Sequence, residues 1–273
     1  MHPILRDLGT FDLPLLGETH LFLPTYGLLF AGGVLVAWMW FMRRAVRSDL
    51  DPDRVFNLTF YTLLAGLLGA KLTLVIVDWD YYLSNPANIL GIVRAAGVLM
   101  GGVLAGALTF ALYAWRTGLP MRELGDAIAA PLALAQAIGR LGCFAAGCCY
   151  GVETGGWCAV TFTDPAAAAQ TGVRLNVPLV PTQVLQMFND LALAVLLAWL
   201  WRKRVRPPGT VFWIYVLLYS VTRGIIEIWR GDAQRGLYFG GHVSTSQLLS
   251  VVGVLLAVTM LVVGWMRWRE ARA

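Results

Sequence analysis

The chain has 273 residues, 58% of them hydrophobic and only 14% charged, with a mean hydropathy of +0.66. Soluble domains average about 45–50% apolar and about 25% charged residues, so a disordered chain, a soluble enzyme and a disulfide-stapled secreted miniprotein are excluded. The composition fits an all-α integral membrane protein, with residues 1–273 forming a single transmembrane domain.

Lysine and arginine number 21 against 16 acidic residues, a net charge of +5. The arginines sit in short segments between apolar runs, as topology signals do, and leave no solvated basic face; no nucleic-acid partner is expected. Residues 1–20 lack a charged stretch followed by an apolar one, so no cleavable signal is expected.

Apolar runs of the roughly 20 residues that cross a hydrocarbon core are predicted at 24–42, 55–77, 89–114, 126–148, 181–201, 209–229 and 245–266. Arg43, Arg44, Arg47 and Arg54 lie between spans one and two, and Arg116 and Arg122 between three and four. Arg202, Lys203, Arg204 and Arg206 separate five from six, and Arg267, Arg269 and Arg272 follow the seventh. The loops between carry few basic residues and include Asp78-Trp79-Asp80-Tyr81-Tyr82. Positive loops stay inside, so the seven-helix bundle is expected to have its N-terminus outside and its C-terminus in the cytoplasm.

In span three, Gly97 with Gly101 and Gly102 with Gly106 repeat at a spacing that lets helix backbones approach, and packing is their expected role. The connection at about 149–180, with Trp157, Cys158 and the alanines 166–169, is expected as a partly ordered outward cap.

An arginine at the centre of a span costs about 2.5–3.5 kcal/mol on insertion scales. Arg140 and Arg223 each lie about 14 residues past the inner end of their spans, hence at one depth about 21 Å from the cytoplasmic side. Glu227 is one turn beyond Arg223 on the same face, and Arg230 follows near the outer surface. These residues predict an outward-opening cationic cavity for a phosphate, in a membrane the headgroup of a phospholipid, because the guanidinium fork offers paired donors. The plainer alternative is a structural Arg223–Glu227 ion pair, with Arg140 snorkelling outward. Lys71 is expected to snorkel. Tyr26 either bonds a headgroup or sits in the interfacial aromatic belt. Asp190 either neutralises an arginine or is protonated and bonded to Asn189 or a backbone carbonyl.

Gly139-Arg140-Leu141-Gly142-Cys143-Phe144, continuing through Gly147 to Tyr150-Gly151, resembles the signature of the prolipoprotein diacylglyceryl transferase family. So do Pro24-Thr25-Tyr26-Gly27-Leu28, Pro181-Thr182-Gln183, the ordered series Tyr219, Arg223, Glu227, Arg230 and Asp232-Ala233-Gln234, and Thr245-Ser246-Gln247-Leu248. The resemblance implies a multi-pass enzyme of the bacterial inner membrane. It would move the diacylglyceryl group of phosphatidylglycerol to the lipobox cysteine of a prolipoprotein, forming a thioether and releasing glycerol-1-phosphate, without a cofactor. Arg140 and Arg223 would bind the phosphate and act in catalysis with Glu227 and Tyr26, while Arg230, Tyr219 and Gly151 would complete the lipid site. The sequence departs from the family at three positions. Met100 replaces a histidine before Gly101-Gly102, Cys143 an asparagine and Cys148 a glutamate. The alternatives are a paralogue with another acceptor and a non-catalytic lipid-binding protein.

Cys143, Cys148, Cys149 and Cys158 fall within sixteen residues, which matches neither standard zinc spacing, and no metal is expected. On a continuous helix Cys143 and Cys148 would be about 140° apart and share no face. They are either small apolar packing residues or a thiol site in place of the lost polar groups, and Cys149 could pair with Cys158 outside.

Overall fold

The structure, a computed structural model, describes residues 2–13, 17–84, 92, 97–204, 207–232 and 236–272. Two paired strands, β1 (Ile4–Leu13) and β2 (Gly17–Pro24), lead into helix α1 (Thr25–Val46). Next come α2 (Pro52–Val77), the short α3 (Trp79–Ser84), α4 (Leu99–Thr117) and α5 (Met121–Ala146). A connecting segment holds β3 (Val160–Thr161), α6 (Pro165–Thr171) and β4 (Pro178–Leu179). It leads to α7 (Thr182–Arg202) and α8 (Thr210–Ile226), which continues as a 3-10 turn over Glu227–Trp229. The small pair β5 (Leu237–Tyr238) and β6 (Val243–Ser244) then precedes α9 (Thr245–Glu270). Among the described residues seven helices are long and apolar enough to cross a membrane, in the order expected from sequence.

Two span boundaries need correction. The third spanning helix starts at Leu99, not near residue 89. The backbone just before it is used elsewhere, since the Val98 N–H donates to the Ala70 carbonyl at 2.9 Å. Residues 89–91 and 93–96 of the expected span lie outside the described residues. The fourth helix ends at Ala146, not 148, because Gly147 turns left-handed with φ of +79°.

The chain divides into two compact units, one of residues 12–18 and 42–124 and the other of the remainder. In the smaller unit α2 starts on Pro52, with the Asp51 carboxylate accepting from the Asp53 and Arg54 N–H groups. α2 and α4 pack backbone to backbone. A Cβ built on Gly101 would lie 1.9 Å from Thr73 Oγ1 and 2.7 Å from the Gly69 carbonyl. Only glycine permits that approach. Lys71 does more than snorkel: its Nζ donates to the Ile92 carbonyl at 2.8 Å.

In the larger unit α5 is the most buried of the seven spanning helices. Its alanines are small because neighbours surround it: Ala129, Ala130 and Ala133 pack with Leu193, Ala194 and Leu197 of α7 and Val211 and Tyr215 of α8. Asp126 of α5 also caps α8 across the bundle, accepting from the Gly209 N–H at 2.7 Å and the Phe212 N–H at 2.9 Å. Residue 209 is a glycine and has no side chain for that task. The segment between α5 and α7 has its own small core of Tyr150, Phe162, Ala167, Val173 and Leu179.

Candidate active site

The site is assembled in the larger unit where α5 and α8 end and α7 and α9 begin. Arg223 lies on the last turn of α8, and its Nη2 is 2.5 Å from Glu227 Oε2. The same guanidinium donates to Ser246 Oγ at 2.9 Å. Ser246 is in position because Ser244 and Gln247 form a capping box that starts α9 at Thr245. Glu227 is 1% exposed and accepts from a second arginine as well, Arg230 Nη1 at 3.4 Å. Arg230 is bidentate on Asp232, with Nε to Oδ1 at 2.8 Å and Nη2 to Oδ2 at 2.5 Å. Burial opposes the Arg230 charge, but Asp232, Cys149 and Glu227 outweigh it and raise its pKa above the ordinary value.

Arg140 stands on the penultimate turn of α5. Among the described residues it makes neither a hydrogen bond nor an ion pair within 4.0 Å, yet its charge is in electrostatic reach of Arg223, Tyr219, Asp190, Cys143 and Cys149. Tyr219 is in reach of both guanidiniums, and its ring tilts against Tyr215 at 5.8 Å. Tyr26, at the start of α1, rests on Gly142, where a built Cβ would meet its Cδ2 at 3.1 Å. It thus faces the Arg140 end of α5 while its ring stacks on Phe30 at 6.0 Å. Asp190 is fully buried on α7 and accepts from Gln186 Nε2 at 2.7 Å and Asn189 Nδ2 at 3.1 Å.

Gly151 is the point where three backbone segments meet. Its N–H donates to the Val180 carbonyl at 2.9 Å, Val152 N–H to Trp229 at 2.9 Å, and Gly231 N–H to Tyr150 at 3.0 Å. A Cβ on Gly151 would lie 2.5 Å from the Val180 carbonyl oxygen and 2.8 Å from that of Trp229. Glycine is therefore required, and the junction ties the residues after Cys149 to the strand-like segment that carries Arg230.

The cysteines need a second correction. A helix running to 148 would keep Cys143 and Cys148 on different faces, but the chain reverses at Gly147. The Cys148 N–H donates back to the Cys143 carbonyl at 3.1 Å, and the Sγ atoms of Cys143, Cys148 and Cys149 all lie within 4.8 Å of one another. All four cysteines are free, so the Cys149–Cys158 pairing that the sequence allowed is not present, and Cys158 is exposed.

The model of the prolipoprotein diacylglyceryl transferase family matches residues 16–263. The chain belongs to this family. Among curated members, phosphatidylglycerol–prolipoprotein diacylglyceryl transferase 2 of Clostridium perfringens is 33% identical over 85% of this chain and 89% of its own length. The Clostridium tetani transferase is 33% identical over 94% of this chain and 96% of its own, and that of Dehalococcoides mccartyi strain 195 is 31% identical over 90% and 91%.

The arginines and Tyr219 read from sequence as site candidates of this diacylglyceryl transferase family member differ in their partners. Arg223 and Arg230 are held by carboxylates, whereas Arg140 and the Tyr219 hydroxyl make no hydrogen bond among the described residues. Sequence reasoning gave no role to Ser246, Asp232, Thr182 or Gln183. Thr182 Oγ1 donates to the Cys149 carbonyl at 2.6 Å and Gln183 Nε2 to that of Cys148 at 2.8 Å. The capping-box spacing from Ser244 to Gln247 was a readable signal for Ser246, and for Asp232 the signals were its closeness to Arg230 and its place in the Asp232-Ala233-Gln234 segment that resembles the family.

Proposed function

We propose that the chain transfers the diacylglyceryl group of phosphatidylglycerol to the cysteine thiol of a prolipoprotein, in the bacterial inner membrane, with the N-terminus and the 149–180 cap facing outward. The arginine-rich loops at residues 43–54, 116–122 and 202–204 and after α9 support this orientation, since they fall on one side of the seven-span topology. The lipobox thiolate attacks the glyceryl carbon that bears the phosphate. A carbon–sulfur bond forms, the carbon–oxygen bond breaks, and glycerol-1-phosphate departs with the bonding pair. The thiol gives up its proton before attack, and that proton ends on the departing phosphate monoester or in solvent.

The observation that carries this reading is the contrast between Arg140 and Arg223. Arg223 is fixed by Glu227 and Ser246, and Arg140, in electrostatic reach of it, makes no hydrogen bond or ion pair among the described residues. Two cations within electrostatic reach repel each other, and an anion bound beside both relieves that repulsion. A phospholipid phosphate supplies that anion, and the charge growing on the leaving phosphate during transfer strengthens the interaction in the transition state. Glu227 and Arg230, the latter filled by Asp232, act as positioning residues. Tyr219 and Tyr26 border the phosphate, and Gly151 keeps the Arg230 segment close.

The test is phosphatidylglycerol binding and transfer by Arg140→Ala and Arg223→Ala, with a model prolipoprotein scored by its mass shift in cells depleted of their own transferase. Each variant is expected to lose both lipid affinity and the shift. Wild-type lipid affinity in both variants would refute the phosphate assignment.

A further inference from the structure

The turn at Gly147 brings together three thiols that the transfer reaction does not employ. Cys143 comes from the last turn of α5, and Cys148 and Cys149 from the reversal that follows it. Their Sγ atoms are mutually within 4.8 Å. A zinc–thiolate bond is about 2.3 Å, which sets sulfur–sulfur separations of about 3.8 Å in a tetrahedral centre and about 4.0 Å in a planar three-thiolate one. The three sulfurs therefore need to close by no more than about 1 Å, a movement that cysteine side-chain torsions can supply.

The backbone that presents them is already fixed. Gln183 and Thr182 bond the carbonyls of Cys148 and Cys149, Thr171 Oγ1 donates to the Gly147 carbonyl at 3.2 Å, and Cys148 N–H bonds back to Cys143. Cys149 is kept at φ of +60°, a region that non-glycine residues seldom occupy and that needs such support. Charge favours the same chemistry. A three-thiolate centre is anionic, −2 with a monovalent ion and −1 with a divalent one. Arg140 lies in electrostatic reach of Cys143 and Cys149, and Arg230 in reach of Cys149. Three soft sulfur donors without a carboxylate or imidazole select thiophilic ions over magnesium or calcium.

We infer that Cys143, Cys148 and Cys149 form a binding site for one soft, thiophilic d10 cation of the class of copper(I) and zinc(II). Each thiol that ligates the ion releases its proton to solvent, and no electron is transferred. The site stands on the thiol geometry and is independent of the transferase reading.

The experiment uses the full chain in detergent, reduced and then freed of reductant without air. Copper(I) and zinc(II) are each titrated in competition with a chromophoric chelator. One equivalent of at least one of these ions is expected to bind, tenfold or more weaker in each of Cys143→Ser, Cys148→Ser and Cys149→Ser and unchanged in Cys158→Ser. A wild-type measurement covers variants that fail to fold: alkylation mapped by mass spectrometry should find Cys143, Cys148 and Cys149 protected by the bound ion, with Cys158 still labelled. Failure of both ions to bind, binding that survives all three single substitutions, or alkylation unaffected by the ion would overturn the site. So would a deficit of two thiols before reduction, which would identify a disulfide among the three instead.

Discussion

Replacing Glu227 with Gln keeps the volume of the side chain and removes its charge. Surface ion pairs are worth little, but this one is not at the surface, since the Arg223 and Glu227 side chains are 10% and 1% exposed. Breaking a buried pair while leaving its partner charged costs about 3–5 kcal/mol. Glutamine still accepts one hydrogen bond, and Arg230 retains Asp232, so the lower end of that range, about 3 kcal/mol, applies. For a chain of this size 1 kcal/mol moves Tm by about 2–4 °C, so Glu227→Gln should melt about 6–12 °C below wild type. Tryptophan fluorescence during a thermal ramp in detergent, at one fixed scan rate, measures this. The double variant Arg223→Gln with Glu227→Gln removes both charges of the short pair and should lose less than the two single losses added together. A Tm for Glu227→Gln within about 1 °C of wild type, or strict additivity in the double variant, would refute the claim that Glu227 fixes Arg223.

Two further outcomes concern the scaffold. Asp126→Ala withdraws the acceptor from the N–H groups of Gly209 and Phe212 and should cost about 1–2 kcal/mol, with faster amide exchange at both positions in a hydrogen-exchange experiment. Gly101→Ala places a methyl 1.9 Å from Thr73 Oγ1 and 2.7 Å from the Gly69 carbonyl, so α2 and α4 must part. It should destabilise by about 1–3 kcal/mol or more in the same thermal ramp, and Thr73→Ala should recover only part of the loss because the Gly69 clash remains.

The seven spans were legible because lipid leaves a chain only helices and closed barrels, and twenty apolar residues then declare themselves. The hairpin of β1 and β2 was not, since Ile4–Leu13 mixes Arg6, Asp7 and Asp12 among its apolar residues without strict alternation. Arg140, Arg223 and Glu227 could be placed in depth and on a helix face by counting along single helices. Their partners across the bundle could not: Ser246 is 23 residues from Arg223, and Asp126 is 83 from Gly209. The cysteine cluster depends on where α5 stops, which apolar composition does not mark; the signal lies in Gly147, since glycine just past a helical run is a common left-handed stop.

The hydrogen bonds that pin the turn after α5 end on its main chain. Gln183, Thr182 and Thr171 each reach a carbonyl, at Cys148, Cys149 and Gly147. The turn is thus a socket held largely from outside, with the Cys148 thiol adding one bond of its own to the Cys143 carbonyl. Substitutions at Cys143 or Cys148 would therefore change the chemistry beside Arg140 while leaving in place the outside bonds to the main chain of the turn.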